Sequence, residues 1–158
     1  MASAEQDIGA PPRQTMESLL MATSRALRRA YDNHLAGVGL KLSEAYLLSH
    51  VHTHGPMTQT QLAEWLGIGR AATGALIDAL EGKGLVERSA HPADRRVWLV
   101  ASTPRAAPLV EEIIAVDTAL RQQLWTGVSQ ADRRQLSETL LRLQGNLAAL
   151  LDDQNDRS

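Results

Sequence analysis

Three histidines, His50, His52 and His54, alternate along one stretch of a 158-residue chain. His50 and His54 stand four apart, a spacing that lets two imidazoles share a helical face and hold a divalent metal. No third ligand is evident and the chain has no cysteine, so no metal site is assigned. A metal-responsive role for the histidine string stays as an alternative reading. The missing cysteine excludes disulfides, thiolate metal sites, thiol redox sensing and cysteine nucleophiles together. No phosphate-cradling glycine loop, nucleophile elbow or convincing carboxylate pair appears, so neither an enzyme nor a cofactor is expected. What remains is a set of placed arginines. Arg70 follows Ile68-Gly69, and Arg95-Arg96 follow Asp94. A guanidinium is a planar fork of donors that suits bidentate recognition.

The elements that must position these groups follow from apolar periodicity. Met16, Leu20, Thr23, Leu27, Ala30 and His34 step by four and three, predicting a helix from about Thr15 to His34. Gly37 and Gly39 break it. Ser43 is expected to cap a second helix that stops at Gly55-Pro56. Thr58 precedes Gln61 at capping-box spacing and opens a short helix ending at Gly67. A further helix runs from Arg70, with Ala72, Leu76 and Leu80 inward and Arg70, Ala71, Thr73, Gly74 and Ala75 outward; Gly82 or Gly84 closes it. The β-capable runs LVERS and VWLVAS flank a turn with Pro92 and Asp94, a hairpin signature. Thr103-Pro104 restarts a helical pattern through Leu109, Ile113, Val116, Leu120 and Leu124. The last helix carries Leu136, Leu140, Leu143, Leu147 and Leu150, a stripe that packs against another helix. The order is α-α-α-α-β-β-α-α: a mainly α chain, a winged helix-turn-helix with long flanking helices.

The expected organisation is a flexible arm over 1–13 and supporting and dimerisation helices over 14–55. A winged unit over 56–104 follows, then C-terminal dimerisation helices over 105–151 and a flexible tail over 152–158. No apolar run is long enough to cross a membrane, and no secretory signal is visible, so a cytoplasmic protein is expected. The formal net charge is −2, which at first sight argues against a nonspecific nucleic-acid coat. The sign is unevenly spread. Between Pro56 and Arg105 stand six basic residues (Arg70, Lys83, Arg88, Arg95, Arg96, Arg105) and five acidic ones (Glu64, Asp78, Glu81, Glu87, Asp94). From Ala106 onward there are five basic and eight acidic residues.

The segment LAEWLGIGRAATGALIDALEGKGLVERSAHPADRRVWLVASTP resembles the DNA-binding core of the MarR (multiple antibiotic resistance regulator) family. Leu62-Ala63, Leu66-Gly67, Leu80-Glu81, Gly84-Leu85-Val86, Arg88, Asp94-Arg95-Arg96 and Thr103-Pro104 carry the resemblance. It extends over roughly Thr15 to Leu151 because the flanking helices fall in the right order. The chain departs from the family at Gly69, where many members have an acidic residue able to brace the wing arginine. It also has Ala106 where the family places glycine after the wing.

A winged helix-turn-helix inserts its second helix into the major groove, N-terminus first. Arg70 is then placed for a bidentate contact to guanine, and the small Ala71, Thr73 and Gly74 permit close approach and contact with thymine methyls. Thr58, Thr60 and Gln61 open the preceding helix and suit a phosphate, alongside simple capping. The resemblance implies that a wing arginine, Arg95 or Arg96, probes the minor groove, where a narrow groove favours Arg.

The leucine stripe either closes a monomer core or forms a dimer seam. Leu20 with Leu136, Leu140, Leu143, Leu147 and Leu150 are the expected dimer residues, since two reading heads match a two-fold site. The resemblance further implies a small-molecule pocket, with Tyr31, His34, Tyr46, His50, Trp65 and Trp125 as candidate lining. The expected protein is a homodimeric transcriptional regulator of double-stranded DNA, a repressor at a pseudo-palindromic site released by a small aromatic effector. The other alternative is a helical dimer that binds a protein and no DNA.

Overall fold

The computed structural model describes residues 15–155; the expected arm over 1–13 lies outside them. Helix α1 (Met16–Leu35) starts where the Thr15 hydroxyl accepts the Ser18 N–H at 3.2 Å. A single 3-10 turn, Ala36–Val38, and Gly39 at φ 73° redirect the chain into α2 (Leu42–His54). Ser43 does not cap α2. The helix begins one residue earlier, and two carboxylates take its first amides: Glu44 accepts from Lys41 N–H at 2.8 Å and Asp32 from Leu42 N–H at 2.8 Å. The Ser43 hydroxyl instead accepts from the Arg28 guanidinium at 3.1 Å.

After α2 come β1 (Met57–Thr58), α3 (Gln59–Leu66), α4 (Arg70–Gly82), β2 (Val86–Ala90), β3 (Trp98–Ser102), α5 (Ala106–Leu124) and α6 (Gln130–Asn155). The sheet has three strands rather than a bare hairpin. β1 pairs antiparallel with β3 through Met57↔Val100 and Thr58↔Leu99, giving the order β1-β3-β2. Two residues are too short for a period-2 signal, so β1 had no trace in the sequence pattern. Helix α5 begins after Thr103-Pro104 and not with it. The Thr103 N–H and hydroxyl turn back to Leu85 O (3.0 Å) and Gly84 O (2.8 Å), pinning the exit of β3 to the end of α4.

The described chain divides into two compact units, one ending at Thr118 and the other beginning at Ala119. In the first, Leu35 of α1, Leu47, Leu48 and Val51 of α2, Leu62 of α3, Ile77 and Leu80 of α4, and Val86 and Val100 of the sheet are wholly buried. Each such side chain contributes about 1.5–3 kcal/mol by leaving water. The inward stripe of α4 is Thr73, Ile77 and Leu80, so two of the three expected positions are corrected by one residue, Ala72 to Thr73 and Leu76 to Ile77. Both stripes have helical spacing. Packing buries Ile77 and leaves Leu76 half-buried, and the Thr73 hydroxyl tolerates burial because it donates to Gly69 O at 3.1 Å.

In the second unit, α6 opens with a reciprocal cap: Ser129 Oγ accepts the Asp132 N–H at 3.1 Å, and Asp132 accepts the Ser129 N–H at 3.2 Å. Helix α6 continues to Asn155, past the expected tail boundary at 152; residues 156–158 lie outside the described ones. Among the described residues no helix is long and apolar enough to cross a membrane.

Candidate nucleic-acid interface

Helices α3 and α4 are joined by three residues. Gly67 stops α3 in the left-handed region at φ 65°, a conformation that costs glycine little, and its N–H closes the last turn on Ala63 and Glu64. Gly69 is the extended residue before α4 and supplies no side-chain cap. The first amides of α4 are therefore left open beside the exposed Arg70, which adds the positive end of the helix to the guanidinium charge.

Gln59 fixes the angle between the two helices and was not singled out from the sequence. Its side-chain amide donates to Arg70 O at 2.9 Å, crossing from the start of α3 to the start of α4. Gly74 makes room for it: a Cβ there would sit 3.0 Å from Gln59 Nε2. Gly74 thus has a packing reason in addition to its place on the helix. A polar residue next to a capping threonine had no pattern to distinguish it.

Thr58 and Gln61 form the expected capping box, with Thr58 Oγ1 accepting the Gln61 N–H at 3.2 Å and Gln61 Oε1 accepting the Thr58 N–H at 2.9 Å. Thr60 is half-buried one residue away. An open cleft of about 370 Å³ lies between this helix start and the wing, lined by Thr58, Gln61, His91, Asp94, Val97 and Leu99. The two polar regions expected to touch DNA therefore share one cleft.

Inside the wing, Asp94 accepts from both the N–H and the Nε of Arg96, at 3.0 and 3.2 Å. This local carboxylate holds the arginine without any acid at position 69, which is glycine. Arg95 is exposed and has no partner among the described residues. His91 keeps the turn, its Nδ1 accepting the Ala93 N–H at 3.1 Å.

Thr73 does not belong to the outward set. It is fully buried, and its hydroxyl is used within α4, so it cannot reach a base edge. The exposed positions in the first two turns of α4 are Arg70, Ala71, Ala72 and Ala75, with Gly74 half-buried.

Two ionic ties fasten α4. Arg88 on β2 bonds Asp78 and Glu81 of α4. Partial burial opposes its charge, but hydrogen bonds and the fields of both carboxylates raise its pKa above the ordinary value. At the far end, Lys83 Nζ donates to Glu44 at 2.9 and 3.0 Å and to Gly39 O at 3.0 Å. Glu44 is buried, and this pairing satisfies it.

Of the six residues expected to line a pocket, the structure brings three together. Trp65 stacks on His50 at 3.6 Å between ring centroids, and Tyr46 meets Trp65 edge-on at 6.3 Å. They form a surface stack, with Tyr46 and Trp65 both exposed. Tyr31 is buried and donates to Asp117 at 2.7 Å. His34 Nδ1 bonds Ala30 O on its own helix. Trp125 belongs to the other compact unit, where Arg133 lies over its ring at 5.1 Å. Two of the three histidines meet, with the His50 and His54 ring centroids 4.3 Å apart. His52 faces Ser102 Oγ at 3.3 Å, His54 bonds His50 O at 3.0 Å, and His50 is stacked on Trp65. No metal-holding group of three residues exists among the described residues. Burial first, and the His54 charge second, hold His50 below the ordinary imidazole value.

Of the expected dimer residues, Leu20, Leu136, Leu143, Leu147 and Leu150 are exposed and Leu140 is half-buried.

A sequence profile of the MarR family matches residues 40–98. The crystal structure of the transcriptional regulator PA3341 is 33% identical with a TM-score of 0.74, over 84% of this chain and 98% of that one. CouR from Rhodococcus jostii RHA1, solved bound to p-coumaroyl-CoA, is 25% identical with a TM-score of 0.72, over 82% of this chain and 91% of that one. The S. aureus MepR–DNA complex, at 21% identity and a TM-score of 0.77 over 84% and 98%, shares the fold. With a winged helix-turn-helix between long helices and a regulator one-third identical over most of its length, this chain belongs to the MarR family of transcriptional regulators, which are not enzymes.

Proposed function

We propose that the protein is a homodimeric repressor that binds a pseudo-palindromic DNA site and leaves it when a small aromatic effector binds. The observation that carries the DNA reading is the exposed Arg70 at the uncapped start of α4, held by Gln59. The exposed Arg95 of the wing, which has no partner among the described residues, supplies a second contact of the same sign. Arg70 reads the major groove, Arg95 enters the minor groove, and Thr58, Thr60 and Gln61 lie on phosphate. Arg96, tied to Asp94, shapes the wing.

The local basic excess is small, so affinity comes from a few placed arginines and from two copies. The exposed leucines of α6 and Leu20 of α1 support the second copy, since a monomer would leave this apolar stripe in water. The effector reading draws on CouR, which holds an aromatic acyl-CoA.

The test is affinity for the protein's own upstream region against random duplex across salt. The expected result is a specific complex that weakens steeply with salt and loses about tenfold or more with Arg70→Ala, from ~1–3 kcal/mol of bidentate contact. Equal weak binding to both DNAs at every salt overturns the DNA reading. Release of that complex by aromatic carboxylates or their thioesters tests the effector; no release by any of a panel removes it.

A further inference from the structure

We propose that α4 reads its half-site chiefly through the methyl groups of thymine, with Arg70 adding one guanine; this rests on the DNA reading above. The exposed positions in the first two turns are Arg70, Ala71, Ala72 and Ala75. Ala71 and Ala75 stand one turn apart and so share a face, opposite the buried Thr73, Ile77 and Leu80. The hydroxyl that could have hydrogen-bonded a base is turned inward on Gly69 O. Gln59, the nearest amide, is held on Arg70 O. Asp78, the next outward residue, is engaged by Arg88.

The groove-facing surface thus offers methyls and one guanidinium. An alanine methyl cannot satisfy the N7, O6, O4 or exocyclic amine groups of a base edge, and covering one without a partner is costly. The one apolar feature of the major groove is the C5-methyl of thymine. The small side chains also let the helix axis come close. The half-site is therefore a short thymine run, on either strand, beside a guanine placed for Arg70.

The experiment selects binding duplexes from a random pool with the full chain, then replaces each thymine of the winning half-site by uracil, which lacks only the methyl. Uracil at one or two positions is expected to weaken binding about fourfold each, the equivalent of one buried methyl group. The penalty at the position under Ala75 disappears in Ala75→Gly, whose folding is checked by its melting curve. If that variant does not fold, the uracil series on the unaltered protein still decides. Tight, salt-dependent, Arg70-dependent binding that is indifferent to uracil at every position overturns the proposal and keeps the DNA reading. A pool that yields no enriched sequence overturns the DNA reading itself.

Discussion

Leu62 and Leu80 of the winged unit have no exposed surface, while Leu147 and Leu150 of α6 are 55% and 61% exposed. The residue type and the helical spacing are the same in both regions. The winged unit finds its partners within the chain: an apolar core from α2, α3, α4 and the sheet, then Arg88 and Lys83 binding across its edges. Helix α6 has an equally regular stripe and shows it to solvent. Among the described residues nothing covers that face; in the proposed dimer a second copy covers it, and the two regions then depend differently on concentration.

The largest expected effect tests the first half of that contrast. Leu80→Ala removes about 2–5 kcal/mol of stability by leaving a cavity, whereas Leu147→Ala at low protein concentration changes the monomer's stability by under about 0.5 kcal/mol. Denaturant titrations of both variants check this, and equal losses would break the contrast.

The second half is tested by Leu147→Asp. It is expected to shift sedimentation from dimer to monomer and to weaken operator binding about a hundredfold, because the second head no longer binds at high effective concentration. Unchanged sedimentation and affinity would place the α6 stripe outside any dimer seam.

A smaller effect sharpens the account of the winged unit's edges. Arg88→Met keeps the apolar stem but frees Asp78 and Glu81, which are partly exposed; the loss is about 1 kcal/mol after solvent screening. Operator affinity should fall with it, since the wing is then no longer tied to α4. High salt should narrow the stability difference from wild type.

Gly74→Ala separates stability from reading. Alanine favours the helix by about 0.8–1 kcal/mol, and its Cβ displaces Gln59 from Arg70 O, a loss of about 0.5–1.5 kcal/mol. The melting temperature should barely move while operator binding weakens. A variant that binds as tightly as wild type removes Gln59 from the positioning of Arg70.

The smallest effect is a pH dependence. The folded protein holds His50 below its ordinary value, 6.5, so the neutral ring is the form the fold favours. The stabilisation is complete above the unfolded value and is lost as pH falls through the lower folded one. His50→Gln should therefore reduce the acid-side decline in melting temperature. An identical decline in the variant assigns it to other groups.

Much of the fold is legible in the residues themselves. Thr58 with Gln61 and Gly67 mark helix ends through local hydrogen bonds, and the structure uses each of them there. The Thr58–Gln61 box lies wholly within four residues, so no distant contact could alter it. The start of α2 was not legible. Its caps come from Asp32, ten residues away, and from Glu44, whose burial is balanced by Lys83 on α4. The face of α4 was misread for a similar reason, because an alanine-rich helix has two apolar stripes of equal periodicity.

The sequence alone determined the order of the helices and of the hairpin strands, the absence of thiol chemistry, the placed arginines and the leucine repeat, because these depend on residue type and short spacing; the short β1 was not among them. Only the tertiary structure decided that Thr73 is buried, that Gln59 holds the start of α4, that Asp94 takes Arg96 while Arg95 has no partner among the described residues, and that His52 faces Ser102 while His50 and His54 meet. Each of those outcomes turns on which side chains meet across different elements or around a turn. That competition for burial and hydrogen-bond partners is settled by packing, which local periodicity does not encode.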